Sequence, residues 1–268
     1  MFKLPNLDLD FNKTVEKEVP ESLIKEYFPD EILKALFYQA LSVDIMDNNA
    51  RAEIIKYICE PYGFDELGTG TNRIGLLKNN FVFKVALDRR GIVDNFTEFK
   101  RSAEMPRFLA KSYETNMLIL CQQYVNVMDQ EQFIYNEPVI KDMLSQISSA
   151  FIFDDIGFTV KNSANYGYIE TPEGDEIRIL DYGYLYPLTL ENKTELFRCP
   201  RCGAKLEWDR NYTRFECNNP KCRLQVPPHR IIQKMANHYD KLEMETMEML
   251  NGFKLPDLIN IESTIGGK

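Results

Sequence analysis

Histidine and tryptophan are scarce in this chain. It has two histidines, His229 and His238, and one tryptophan, Trp208, in 268 residues. Neither histidine sits in a context that marks it as a metal ligand. Long apolar runs are missing too. No stretch approaches the ~18 uninterrupted apolar residues a membrane helix needs, so no membrane span is expected. The start, from Met1 to Lys13, lacks the apolar segment of a secretory signal, and a cytoplasmic or virion location is expected instead. Cysteine is limited to six residues, four of them in two close pairs, which argues for metal in a reducing compartment and against a disulfide framework.

Positive charge is also in deficit, and unevenly so. The net charge is −9, yet Arg198 to Arg230 holds eight basic and three acidic residues, a local +5 that leaves −14 elsewhere. An acidic body with a basic appendage excludes nonspecific nucleic-acid coating by the whole protein. Contact by the appendage alone stays open.

What is present begins with a glycine-rich turn, Gly68, Gly70 and Gly75, followed by an alternating strand pattern. Glycine lets a backbone pass close to an anionic ligand. Phe81, Phe83 and Val85 fall on one side of that strand, and Val82, Lys84 and Ala86 on the other. A lysine flanked by apolar residues needs an anionic partner. Glu98, fourteen positions on, supplies one if Asp94 to Lys100 starts a helix. Glu98 also reads as the reciprocal half of a capping box with Asn95.

Downstream, Tyr166–Ile169 and Ile177–Leu180 read as two strands around the turn signal Thr171-Pro172-Glu173-Gly174. Asn165 and Asp181 bracket this hairpin. Both offer oxygen ligands, suited to one hard cation.

In this order, the glycine turn, Lys84, Glu98 and the segment Asn165 to Asp181-Tyr182-Gly183 resemble the protein-kinase-like superfamily, most of all the small kinase-like proteins of bacteriophages. The resemblance covers Asp65 to Pro187. It implies a glycine loop over nucleotide phosphates, a strand lysine held by a helix glutamate, and magnesium on Asn165 and Asp181. It also implies a hinge at Gln122–Val125, where Gln123 and Tyr124 would meet the adenine of ATP. One departure matters. The position of the catalytic aspartate, five before the asparagine, is Val160, and valine accepts no proton. Asp154 and Asp155 are the substitute candidates. No activation segment or substrate-docking helices follow Asp181.

From Cys199 the spacing is C-x2-C, fourteen residues, then C-x4-C, with ligands Cys199, Cys202, Cys217 and Cys222. Four thiolates in this pattern point to a closed structural zinc ribbon. Cys59 and Cys121 lie in apolar surroundings and read as small buried hydrophobes.

Helices are expected within Pro20–Tyr62, over Ala50–Cys59, Phe96–Ala103, most of Asp129–Phe153 with Pro138 as a break or first-turn residue, and Ile231–Leu250. Phe108–Ser112 and Asn116–Cys121 read as strands. The chain therefore divides into an arm (1–19), a helical section (20–62), a kinase-like core (63–195), a zinc ribbon (196–226) and a C-terminal helix and arm (227–268). The fold class is α+β, a two-lobed core with a truncated large lobe. Phe2-Lys3-Leu4-Pro5-Asn6-Leu7 is echoed by Phe253-Lys254-Leu255-Pro256-Asp257-Leu258, as if two arms dock into equivalent grooves of a repeated partner. The expected function is a phage pseudokinase that serves as a protein-binding or virion module, with virion components, a polymerase or copies of itself as partners. Two alternatives remain: a phosphotransferase or nucleotidyltransferase using Lys84, Asn165 and Asp181, and nucleic-acid binding through Arg210, Arg214 and Arg223 of the ribbon.

Overall fold

The computed structural model describes residues 22–41, 47–153, 162–172, 174–183, 185–187, 197–209, 214–228 and 230–231. The two arms, the expected helix Ile231–Leu250 beyond its first residue, Asp154, Asp155, Val160 and Arg210 lie outside them. The fold is α+β, with antiparallel sheets.

Three helices open the described chain: α1 (Leu23–Tyr27), α2 (Asp30–Leu41) and α3 (Asn48–Cys59). Ser22 and Asp47 cap α1 and α3 by accepting from Lys25 and Ala50 backbone N–H groups. Strands β1 (Asp65–Thr69), β2 (Arg73–Lys78), β3 (Phe81–Ala86), β4 (Ser112–Thr115) and β5 (Ile119–Gln123) form one sheet in the order β1-β2-β3-β5-β4. The alternation read from Phe81–Ala86 decides which side is covered. Phe83 and Val85 are buried among Tyr27, Phe28 and Phe64, with ring centroids of Phe28 and Phe83 5.2 Å apart. Leu23, Ile24, Leu36 and Ile55 belong to that same hydrophobic cluster, so the helical section and the sheet share one core. Lys84 is left on the opposite side.

Helix α4 (Arg89–Glu104) is longer than the expected Phe96–Ala103. Its N-cap is Asp88, which accepts from Gly91 N at 2.9 Å. The expected start at Asp94 and the capping box at Asn95 are therefore wrong. The run Arg89-Arg90-Gly91 looks unhelical in isolation, but Gly91 is needed there: a Cβ on it would lie 2.2 Å from Asn72 O. Asn95 sits inside the helix, fully buried, and its amide donates to the carbonyls of Lys84, Met117 and Leu118. Helix α4 is thereby bolted to β3 and to the turn before β5.

A second cluster lies beyond β6 (Asn126–Val127), around α5 (Gln130–Ser148) and the hairpin β8 (Tyr166–Thr171) and β9 (Gly174–Ile179). The hairpin stands where the sequence placed it, but its strands are longer: they run on to the pair Thr171–Gly174, and β9 ends at Ile179 and not at Leu180. Three other expectations change. Phe108–Lys111 is not a strand: Leu109 makes an isolated parallel bridge to Ile179, and β4 begins only at Ser112. Pro138 lies inside α5, on an exposed face beside Ile134 and Val139, where water can take the carbonyl its ring releases. The helix ends at Ser148, and Phe151–Phe153 form β7, paired with β10 (Leu185–Pro187). That pairing is nonlocal, so helix-period reading of the run could not find it.

The third cluster is the cysteine hairpin, with β11 (Leu206–Trp208), β12 (Phe215–Cys217) and β13 (Gln225–Val226). Trp208 stacks on Phe215 at 3.8 Å, and Ile152 of β7 joins the cluster. Among the described residues no helix is long and apolar enough to cross a membrane.

Candidate functional site

A cleft of about 760 Å³ opens between the sheet and the β8–β9 hairpin. Gly68, Gly70, Lys84, Gln123, Tyr124, Asn165 and Asp181 all line it, although they come from distant parts of the chain. Glu98 stands directly behind, with no exposure. The structure thus gathers every described residue the sequence nominated for nucleotide and magnesium.

The glycine turn is tight. Gly68 opposes Gly75 across β1 and β2, with a bulge before it and a φ of +153° that a side chain would strain. Gly70 N donates to Arg73 O at 2.8 Å, closing the turn. Gly75 opposes Lys84 in the β2–β3 register, so no side chain from β2 stands between the lysine and the cleft.

Lys84 Nζ lies 2.7 Å from Glu98 Oε2 and 2.7 Å from the Leu180 carbonyl. Glu98 has a second cation. Arg73 Nη2 is 2.7 Å from Glu98 Oε1 and 3.0 Å from Asp181 Oδ1. Burial raises the Glu98 pKa, but Arg73 and Lys84 outweigh it and hold the carboxyl down at about 2. Two more groups complete the carboxylate's surroundings. Gln122 Nε2 is 3.5 Å from Oε2, and Tyr182 N is 3.3 Å from Oε1. Tyr182 itself is buried, and its hydroxyl donates to Ala110 O while accepting from Gln122. Gly183 follows, so close to Asp94 that a Cβ would sit 3.2 Å from the Asp94 Cβ.

Arg73, Gln122 and Tyr182 as a network were missed in the sequence. Arg73 had a signal. It precedes Gly75 by two, so it shares the Lys84 face once β2 and β3 pair. The expected hinge is also narrowed. Gln122 and Gln123 belong to β5, where Gln123 N donates to Lys111 O at 2.8 Å and the Gln122 amide is taken by Tyr182 and Glu98, while Tyr124 and Val125 follow the strand and also line the cleft.

Asn165 is buried and Asp181 half exposed, and Leu180 N donates to Asn165 O at 2.9 Å. They stand at adjacent ends of the hairpin, as expected. As a magnesium pair they fit poorly, because the Asp181 carboxylate is engaged by the Arg73 guanidinium.

The second site is the cysteine hairpin. The four Sγ atoms of Cys199, Cys202, Cys217 and Cys222 lie within 4.8 Å of one another. The Cys199–Cys222 and Cys202–Cys217 separations are 3.7 and 3.4 Å. A tetrahedral ion with ~2.3 Å bonds to sulfur spaces its ligands ~3.8 Å apart, so the four are set to hold one metal ion. Backbone N–H groups of Arg201 and Cys202 point at the Cys199 sulfur, that of Asn219 at Cys217 and that of Leu224 at Cys222. Burial works against the Cys199 thiolate, but these donors and the neighbouring sulfurs bring it to about 7. Gly203, at φ +73°, makes the knuckle turn. Cys59 and Cys121 differ. Burial pushes both thiols up to about 12, and both are shut in the first core.

Of the ribbon arginines, Arg214 lies 3.7 Å from both Asp209 and Glu216. Lys205 pairs with Glu207 at 2.9 Å. The basic appendage is therefore partly neutralised by its own acids. No protein-family model matches this chain, and no curated protein matches it.

Proposed function

We propose that this chain is a kinase-like, nucleotide-binding protein without phosphoryl-transfer activity, a pseudokinase whose cysteine hairpin is a structural zinc ribbon. One observation carries the reading: the Lys84–Glu98 contact of 2.7 Å at the back of a cleft that Gly68, Gly70, Asn165 and Asp181 also line. A lysine so placed can reach a phosphate while its partner holds it in position. Against catalysis stands Val160 at the position of the general base. The transferase alternative also needs Asp181 free for a metal, and Arg73 holds it. Zinc is favoured for the four-sulfur site because tetrahedral thiolate sets select it or iron–sulfur chemistry, and a closed hairpin suits a structural ion. The resemblance to small phage proteins supports a virion or polymerase component, or a second copy, as partner, held by the ribbon and the two arms. Nucleic acid is the weaker reading, given the internal pairing of Arg214 and Lys205.

Calorimetric titration with ATP tests the cleft. Wild type should bind without producing ADP. Lys84→Ala should bind at least about tenfold more weakly, the worth of one charge-assisted hydrogen bond. Equal binding by both proteins, or no binding by wild type at millimolar ATP, defeats the reading.

A further inference from the structure

We propose that Arg73 occupies the role a divalent cation would otherwise have in this cleft, so that the site binds nucleotide phosphates without magnesium. The inference rests on the nucleotide reading and specifies its chemistry.

The donor set is the first argument. A hard cation here needs carboxylate and amide oxygens free to turn toward it. Asp181 Oδ1 is instead 3.0 Å from Arg73 Nη2, which also lies 2.7 Å from Glu98 Oε1. A guanidinium does not deprotonate, so a dication on Asp181 would face a fixed positive charge at close range. Asn165, the other nominated ligand, is neutral and cannot offset that.

The charge arrangement is the second. At the back of the cleft one buried carboxylate, Glu98, faces two cations, Lys84 and Arg73. Behind Arg73 lies a second buried carboxylate, Asp94, which is already paired with Arg90, so the remaining direct partner of Arg73 is Asp181, whose side chain is 47% exposed. An exposed partner is held weakly and gives way at small cost. A phosphate offers the guanidinium a better, two-pronged acceptor.

The third argument is an unused donor. Arg73 Nη1 is buried and has no hydrogen-bond partner. Such a group is costly unless an acceptor arrives when the side chain turns. Among the described residues none is supplied, whereas an incoming phosphate would supply one.

The test uses the full chain and ATP, titrated calorimetrically in EDTA and in excess magnesium. Wild type should bind in both buffers with affinities within about threefold of one another. Asp181→Asn should bind about threefold to tenfold more tightly in EDTA, because Arg73 loses its competing anion. Arg73→Gln should lose more than about tenfold. Should Arg73→Gln fail to fold, Asp181→Asn decides by its sign, since a half-exposed side chain is safe to change. Binding that requires magnesium, or that Asp181→Asn weakens, overturns the proposal and leaves the nucleotide reading standing. No binding in either buffer overturns both.

Discussion

At the scale of single residues, Glu98 is the pivot. It receives Arg73 on one oxygen and Lys84 on the other and has no contact with water. Removing one partner of a buried ion pair typically costs about 3–5 kcal/mol, because the remaining charges stay buried. Glu98→Gln should therefore lower the urea midpoint sharply at neutral pH. The pH dependence has a definite sign. The folded carboxyl sits at about 2, below its ordinary 4.5, so its contribution is complete above pH 4.5 and drains away as pH falls toward 2. Wild type should lose stability through that window more steeply than Glu98→Gln, measured by urea unfolding at each pH. Parallel slopes would mean the pairing does not stabilise the fold. Much of this residue-level picture was legible: Lys84 and Glu98 pair as read, because strand alternation isolates the lysine and a carboxylate is its cheapest partner. Arg73 was only half legible: its place two before Gly75 puts it on the Lys84 face, but only in a β2–β3 register that spacing alone does not set.

At the scale of elements, the chain divides into parts whose determinants are local and parts whose determinants are distant. The β8–β9 hairpin and the cysteine hairpin are local, and both were readable from turn residues and spacing. The start of α4 was not. Its first turn is set by Gly91 passing against Asn72 and by Asp88 as cap, features that matter only when the glycine turn is already folded above it. Strand β7 was likewise hidden, because its partner β10 lies more than thirty residues on. The cysteine hairpin allows a direct check. With metal bound, a thiol reagent such as a maleimide should label none of the six cysteines rapidly. After strong chelation four should react, Cys202 first because it is exposed, while Cys59 and Cys121 wait for global unfolding. One zinc should be released per chain. Rapid labelling of all four in the metal-loaded protein would remove the ribbon from the account.

At the scale of the whole molecule, the sequence drew a boundary that the packing does not respect. The sequence division sets a helical section, 20–62, before the core that begins at residue 63. Yet Phe28, Leu36 and Ile55 are in the same cluster as Phe83 and Val85, and Ser22 Oγ donates to Glu114 on β4 at 2.6 Å. These helices cover the side of the sheet turned away from the cleft, and the strand that carries Lys84 has Phe83 and Val85 on that side. A chain shortened to begin at Gly63 would expose Phe83, Val85, Ile74 and Leu76 together, a patch of the kind that aggregates. It should be insoluble or lack a cooperative melt, whereas a chain beginning at Pro20 should keep both its melt and its ATP affinity. The comparison separates the two roles of the N-terminal region. If the chain from Gly63 melts cooperatively and binds ATP, the sheet is stable without its helices and the shared core is not what positions Lys84. If it fails while the chain from Pro20 succeeds, the cleft depends on a helical cover with no chemistry of its own, and the first nineteen residues, including one of the two echoed arms, are free to serve a partner.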